Sequence, residues 1–100
     1  MNDGPPSSGS LELTPDARPR LPHGVRLTQN PAHGWVLLGP ERMFQADPIA
    51  VEIIRRCTGV ATLTEIVDDL AKTFSAPREQ VLADVTAMLR GLADKKLLVV

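Results

Sequence analysis

The dipeptide Asp47-Pro48 divides this chain into two unlike parts. Proline fixes φ and carries no N–H, so it suits the first position of a helix and interrupts a strand. An aspartate directly before it can accept the amide hydrogens that a helix start leaves unpaired. A strand reaching this point must stop, and a helix can begin. Upstream, apolar residues alternate or cluster in short blocks between turn formers, as in strands. Downstream they recur every three or four positions, as in helices.

The upstream part predicts three strands. Val25-Arg26-Leu27-Thr28 alternates apolar and polar, as a half-buried strand does. Gln29 to Gly34 is rich in turn formers. Trp35-Val36-Leu37-Leu38 is apolar at every position, which predicts a central strand with both faces covered. Gly39-Pro40 turns the chain again, and Glu41 to Ala46 reads as a third, less apolar strand suited to a sheet edge. Three short strands joined by short turns predict a meander.

The downstream part predicts three helices. Ala50, Ile53, Ile54 and Cys57 make one apolar face behind the Asp47 cap, and Gly59 offers a natural stop. Thr62-Leu63-Thr64-Glu65 has the form of a capping box. Leu63, Ile66, Val67, Leu70 and Phe74 then line one face, with Glu65, Asp68, Asp69 and Lys72 opposite. Ser75-Ala76-Pro77 breaks the run, with Pro77 at the start of the third helix. Its stripe is Val81, Leu82, Val85, Met88, Leu89 and Leu92. Lys95 and Lys96 stand at its end, where positive charge complements the helix dipole. Leu97 to Val100 is apolar and β-prone, an extended segment packed on the body. The fold class expected is α+β: a small three-stranded antiparallel sheet followed by three helices, like a winged helix-turn-helix.

Residues 1 to 22 hold Pro5, Pro6, Pro15, Pro19 and Pro22 among serines and glycines. Such a segment buries too little apolar surface to offset its ordering entropy, so a disordered tail or linker is expected there. Residues 23 to 100 then form the domain. A domain so small buries only about 60 to 65% of its unfolded surface, so its stability should be modest. The single Cys57 excludes an internal disulfide and fits a reducing compartment. No apolar run approaches the roughly 20 residues needed to cross a bilayer. The N-terminus lacks the basic start and apolar core of a signal peptide. A cytoplasmic protein without a membrane partner is expected.

Few residues could carry chemistry. His23 and His33 fall in predicted loops, and Cys57 falls on an apolar helix face, where it reads as a small buried hydrophobe. Nothing in the spacing joins them into a thiol or metal site. Asp68-Asp69 reads as a solvated helix surface. No catalytic residue, cofactor or metal is therefore expected. A winged-helix nucleic-acid binder is the alternative, but the net charge of −1 lacks the basic excess that phosphate binding requires. The second helix sets Glu65, Asp68 and Asp69 against Lys72 alone, and Arg55-Arg56 reads as a charge pair at a helix C-terminus.

Peptide binding asks for less. An edge strand offers unpaired backbone groups to which a peptide can add as a further strand. The candidate edge is Arg42, Met43, Phe44, Gln45 and Ala46. The third helix, through Val81, Leu82 and Val85, is the candidate wall of an adjoining groove. Leu89 and Leu92 read as core, whereas periodicity alone assigns Val81 and Val85 to either role. It also leaves open which side chains of the edge face the groove.

Several segments together resemble the PqqD family: residues 19–27 (PRLPHGVRL), 35–42 (WVLLGPER), 50–59 (AVEIIRRCTG), 62–70 (TLTEIVDDL) and 84–98 (DVTAMLRGLADKKLL). The likeness spans roughly residues 18 to 100. It implies a small non-enzymatic peptide chaperone of pyrroloquinoline quinone biosynthesis with a winged-helix-like β3α3 fold. Such a protein binds the ribosomally made precursor peptide PqqA and presents it to the radical S-adenosylmethionine enzyme PqqE. The likeness also implies that the peptide adds to the third strand, against the third helix. Here those are Arg42 to Ala46 and the face from Arg78 through Val85. A monomer or a strand-exchanged dimer is compatible with this. Where relatives commonly end the third helix on glycine, this chain has Lys96. That lysine must either adopt a left-handed backbone or close the helix another way.

Overall fold

A computed structural model describes residues 13–100. Three strands, β1 (Arg26–Asn30), β2 (Gly34–Leu38) and β3 (Met43–Gln45), precede three helices, α1 (Pro48–Arg55), α2 (Leu63–Phe74) and α3 (Arg78–Asp94). The sheet is the expected antiparallel meander, ordered β1-β2-β3. Leu37 of β2 stands opposite Leu27 on one side and Phe44 on the other. Residues in register share a face, so these three apolar side chains form one row across the sheet. Leu37 is completely buried, in a core it shares with Ile53, Ile54, Ile66, Leu70, Val85, Leu89 and Leu97. Its chain neighbour Val36 points to the opposite face and is also buried, as expected of a central strand.

β1 runs two residues further than the alternation predicted. Gln29 and Asn30 pair with Trp35 and Gly34, which shortens the connection to β2. Asn30 Oδ1 accepts the N–H groups of Ala32 (2.8 Å) and His33 (3.1 Å), and Gly34 turns back with φ +75°. The side chain thus supplies the acceptor for a tight turn. β3 is shorter than expected, Met43–Gln45. Single ladder bonds still flank it: Gly39 N–H to Arg42 O, and Ala46 N–H to Trp35 O, both 2.9 Å.

Asp47 caps α1 as its sequence implies, accepting the Ala50 N–H at 2.8 Å. α1 closes at Arg55 rather than Gly59, which instead turns the following loop at φ +84°. The capping box of α2 is complete: Thr62 Oγ1 accepts the Glu65 N–H (3.1 Å), and Glu65 accepts the Thr62 N–H (2.8 Å). That backbone N–H, aided by the Thr62 side chain, holds the Glu65 carboxyl below its ordinary pKa. Arg56 then ties α1 to α2, bonding Glu52 at 2.9 Å and Asp69 at 2.6 Å.

The main departure from expectation is residues 13–22, the described part of the predicted disordered tail; residues 1–12 lie outside the described residues. Pro19 is fully buried, and Leu13 and Leu21 pack on the core. The segment survives as ordered chain because it accepts hydrogen bonds from donors that need partners. The first N–H groups of a helix have no partner within it. At α2, Leu63 N–H bonds Ala17 O at 2.8 Å and Thr64 N–H bonds Pro15 O at 3.2 Å. Gly59 N–H bonds Pro19 O at 2.9 Å, and Arg20 pairs with Val99 through bonds of 2.8 and 2.9 Å. Proline is at no disadvantage in a strap that mostly accepts.

Two helices end on non-glycine residues with left-handed backbone. At α3, Leu97 N–H bonds Leu92 O (2.9 Å) and Lys96 N–H bonds Ala93 O (3.0 Å), while Lys96 takes φ +62°. This is the Schellman closure, completed by burial of both Leu92 and Leu97. Ser75 closes α2 in the same way at φ +51°. The lysine where glycine was expected therefore keeps glycine's geometry, at a cost of about 1 kcal/mol.

Two outcomes follow from these contacts. Lys96→Gly should raise stability by about 1 kcal/mol in urea unfolding, because it relieves the left-handed strain. A chain beginning at residue 21 should show amide exchange at Leu63 and Thr64 faster by tenfold or more, while Ile66, whose acceptor is Thr62 O within the helix start, changes least.

Candidate functional site

The edge strand β3 presents a definite pattern of backbone groups. In an antiparallel pair, alternate residues direct both N–H and C=O to the same neighbour. The bonds at Arg42 O and Ala46 N–H, with Phe44 in register with Leu37, turn Arg42, Phe44 and Ala46 inward to β2. Met43 and Gln45 therefore direct their N–H and C=O groups outward. No strand lies beyond β3 among the described residues.

Side chains follow the same alternation. Phe44 and Ala46 are half-buried and pack on the core. Met43 (49% exposed) and Gln45 face the other way into solvent. Gln45 Nε2 lies 3.3 Å from His33 Nδ1, at the β1–β2 turn. The question that sequence left open is thus decided: Arg42, Phe44 and Ala46 belong to the helix side of the sheet.

Two cavities involve the chain on either side of β3, one the turn that precedes it and the other the helix that follows it. One, of about 240 Å³, is bounded by Arg42 and its neighbours Pro40 and Glu41, by Lys95 and Lys96, and by His23. The other, of about 160 Å³, is bounded by Ile49 and Ile53 of α1, by Phe74 of α2, and by Gln80, Val81, Asp84 and Val85 of α3. The C-terminal end of α3 thus meets the start of β3, and its first half lies beside the residues that follow β3.

The nine candidate residues do not form a single cluster. Val81 and Val85 line the second cavity as buried floor rather than exposed wall. Arg78 and Leu82 turn to the other side of α3, where with Leu13, Pro15, Leu63 and Thr64 they border a separate cavity beneath the N-terminal strap. Arg78 is also taken by an ion pair with Asp68. The helical period explains the split, because positions one apart lie about 100° around the axis. Missing from the sequence reading were Ile49 and Phe74, both exposed apolar residues, and the polar rim of Gln80 and Asp84. Ile49 carried a signal: it lies outside the i, i+3, i+4, i+7 face of α1.

Other chemistries find little support. Cys57 Sγ is buried and donates to Ile53 O at 3.3 Å. Burial pushes its pKa up to about 12, so the thiolate is disfavoured at neutral pH. His23 and His33 are both exposed. Among the described residues no cluster of three or more His, Cys, Asp or Glu could hold a metal, and no helix is long and apolar enough to cross a membrane. The arginines flanking α2, Arg56 and Arg78, are engaged by Asp69 and Asp68.

Comparison with known proteins gives a consistent result. The family described as Coenzyme PQQ synthesis protein D (PqqD) matches residues 34–98. A PqqA binding protein of Bradyrhizobium diazoefficiens is 41% identical over 86 residues, covering 85% of this chain and 84% of the relative. One from Xanthomonas axonopodis pv. citri is 42% identical over 87 residues, covering 86% and 95%. The solution NMR structure of the PqqD truncation of Methylobacterium extorquens PqqCD superposes with a TM-score of 0.75 at 37% identity, covering 88% of this chain and 95% of that one. That protein is described as a functional and stand-alone recognition element for a ribosomally synthesized and post-translationally modified peptide. The crystal structure of PqqD from Xanthomonas campestris gives a TM-score of 0.54 at 36% identity, covering 86% and 97%.

Burial of Cys57 has a direct consequence. The native thiol should resist a water-soluble disulfide reagent at pH 8 and react at the unprotected rate once the chain is unfolded in guanidinium; rapid reaction of the folded protein would contradict its burial. Because the folded pKa lies above the unfolded one, the associated stability is present below pH 9 and declines as pH rises toward 12.

Proposed function

This chain belongs to the PqqD family, and on that premise we propose that it is a non-catalytic recognition domain for the precursor peptide PqqA in pyrroloquinoline quinone biosynthesis. The peptide adds as a fourth strand on the outer edge of β3, antiparallel or parallel, and is presented in that form to the radical S-adenosylmethionine enzyme PqqE. The observation that carries the reading is the outward N–H and C=O of Met43 and Gln45, on an edge with no neighbouring strand among the described residues.

Magnitudes decide what else the peptide needs. Ordering a flexible peptide costs about 2 to 5 kcal/mol of the gross interaction energy. Each backbone hydrogen bond contributes a net of about 1 kcal/mol. The two outward residues offer at most two donors and two acceptors, so strand pairing alone roughly offsets the ordering cost. Net affinity must come from peptide side chains that reach beyond the strand edge. The second cavity, with its floor of Val81 and Val85 and the exposed Ile49 and Phe74 beside it, is suited to an apolar side chain of the peptide. Burying one such side chain is worth about 1.5 to 3 kcal/mol. Arg42, Met43, Phe44, Gln45, Ala46, Val81 and Val85 remain in the proposed site. Arg78 and Leu82 act at most indirectly, by supporting α3.

Proline substitution distinguishes the outward from the inward positions. Met43→Pro and Gln45→Pro each delete a donor that faces the peptide, and should keep the fold while weakening PqqA binding about five- to tenfold in calorimetry. Phe44→Pro deletes a ladder donor and a core side chain, and should lose cooperative folding. Wild-type affinity in both outward variants would rule out strand addition at this edge.

A further inference from the structure

The two cavities, one at the turn before β3 and one among the helices after it, differ in charge. Where the apolar one is rimmed by Gln80 and Asp84, the other gathers Arg42, Lys95 and Lys96, with the ring of His23 beside them and Glu41 as the single carboxylate. None of the three cations makes an ion pair with a described residue. The C-terminal end of α3 contributes a partial negative charge of roughly half a unit, which three cations against one carboxylate outweigh. Arg42 and Lys95 come from elements far apart in sequence, so the concentration of charge arises from the fold. Lys96 holds its place in a left-handed conformation between the helix cap Lys95 and the fully buried Leu97, so its backbone is anchored where its charge adds to the others.

Arg42 shares the inward alternation of Phe44 and Ala46, so its side chain lies on the groove side at the mouth of the strand. A peptide paired with Met43 and Gln45 must pass this mouth as it leaves the edge. Resting on strand addition at β3, we propose that the cavity bounded by Arg42, Lys95 and Lys96 is an acidic-residue subsite. It receives a carboxylate side chain of the bound peptide, while an apolar side chain occupies the cavity by Ile49 and Phe74. Charge at one end and apolar surface at the other also give the peptide a preferred direction. A peptide laid on the edge in reverse would bring its carboxylate to Asp84 and its apolar residue to the cations.

The test is a cycle between protein and peptide. Wild type, Arg42→Gln/Lys95→Gln/Lys96→Gln and Lys96→Gly are titrated with the PqqA peptide, and with versions in which each carboxylate is replaced singly by its amide. Calorimetry gives affinity, and NMR follows the Met43 and Gln45 amides. The triple variant should bind about tenfold more weakly, with a flatter dependence on salt, while those two amides still shift at saturation. One peptide amide replacement should weaken binding to wild type and leave binding to the triple variant unchanged. Lys96→Gly should bind more weakly although the protein itself is more stable, which separates the role of the charge from any damage to the fold. Unchanged affinity and salt dependence in the triple variant, with both amides responding, would overturn the acidic subsite and leave strand addition standing. Absence of any response at Met43 and Gln45 in wild type would overturn strand addition, and the subsite with it.

Discussion

The burial of Leu37 is the contact on which the rest of the molecule depends. A sheet of three short strands has little stability of its own in water. Here its apolar row, Leu27-Leu37-Phe44, is held against a helical layer whose core residues come from all three helices and from the C-terminal Leu97. β3 is only three residues long, and both its inner backbone edge and its apolar side chain are committed to this arrangement. Among the described residues one set of strong polar groups on it has no strand partner, the outward N–H and C=O of Met43 and Gln45. The packing that stabilises the sheet thus also limits where it can bind. A residue of β3 cannot serve β2 and a peptide with the same backbone groups, and the alternation of an antiparallel ladder assigns each to one role.

Hydrogen-bond accounting explains the ends of the elements as well. The N-terminus of α2 leaves donors that must find partners. Glu65 N–H uses Thr62, three residues away, whereas Leu63 and Thr64 use the carbonyls of Ala17 and Pro15 from a distant segment. Arg20 then joins the same strap to Val99, so the two ends of the described chain are held side by side. Gly39 belongs to this closure. A Cβ on it would lie 2.8 Å from Leu97 Cδ2, so any larger residue in the turn between β2 and β3 would force the Leu97 side chain to move. The same Leu97 completes the Schellman closure of α3 and thereby places Lys95 and Lys96 opposite Arg42. Charge at the mouth of β3 is in this sense a by-product of how the C-terminus is locked.

Under the proposed strand addition, the backbone supplies modest and sequence-independent energy, and selectivity would fall to side-chain pockets. The protein's near-neutral net charge of −1 conceals this local polarity. Overall charge reports on long-range attraction. It is silent about where a few cations gather, because that depends on which helix end meets which turn.

Local physics made much of this protein legible in its sequence. Period-two and period-3.6 patterns located all three strands and all three helices, and Asp47-Pro48 and Thr62 through Glu65 marked helix starts that the structure reproduces, because caps and periodicity act within four residues. The edge character of β3 was also readable, from its weaker hydrophobicity and its place beside a helix start. Tertiary structure decided what depends on partners far away in the chain. Residues 13–22 have the composition of a flexible tail, yet donors at residues 59, 63 and 64 and the pairing with Val99 hold them in place. Periodicity placed Val81, Leu82 and Val85 on one stripe, but only packing could show that Leu82 turns to the strap while Val81 and Val85 line a cavity shared with α1 and α2. Lys96 was legible as a conflict with glycine's usual position. That it accepts the left-handed backbone follows from the burial of Leu97, a contact made across the whole fold.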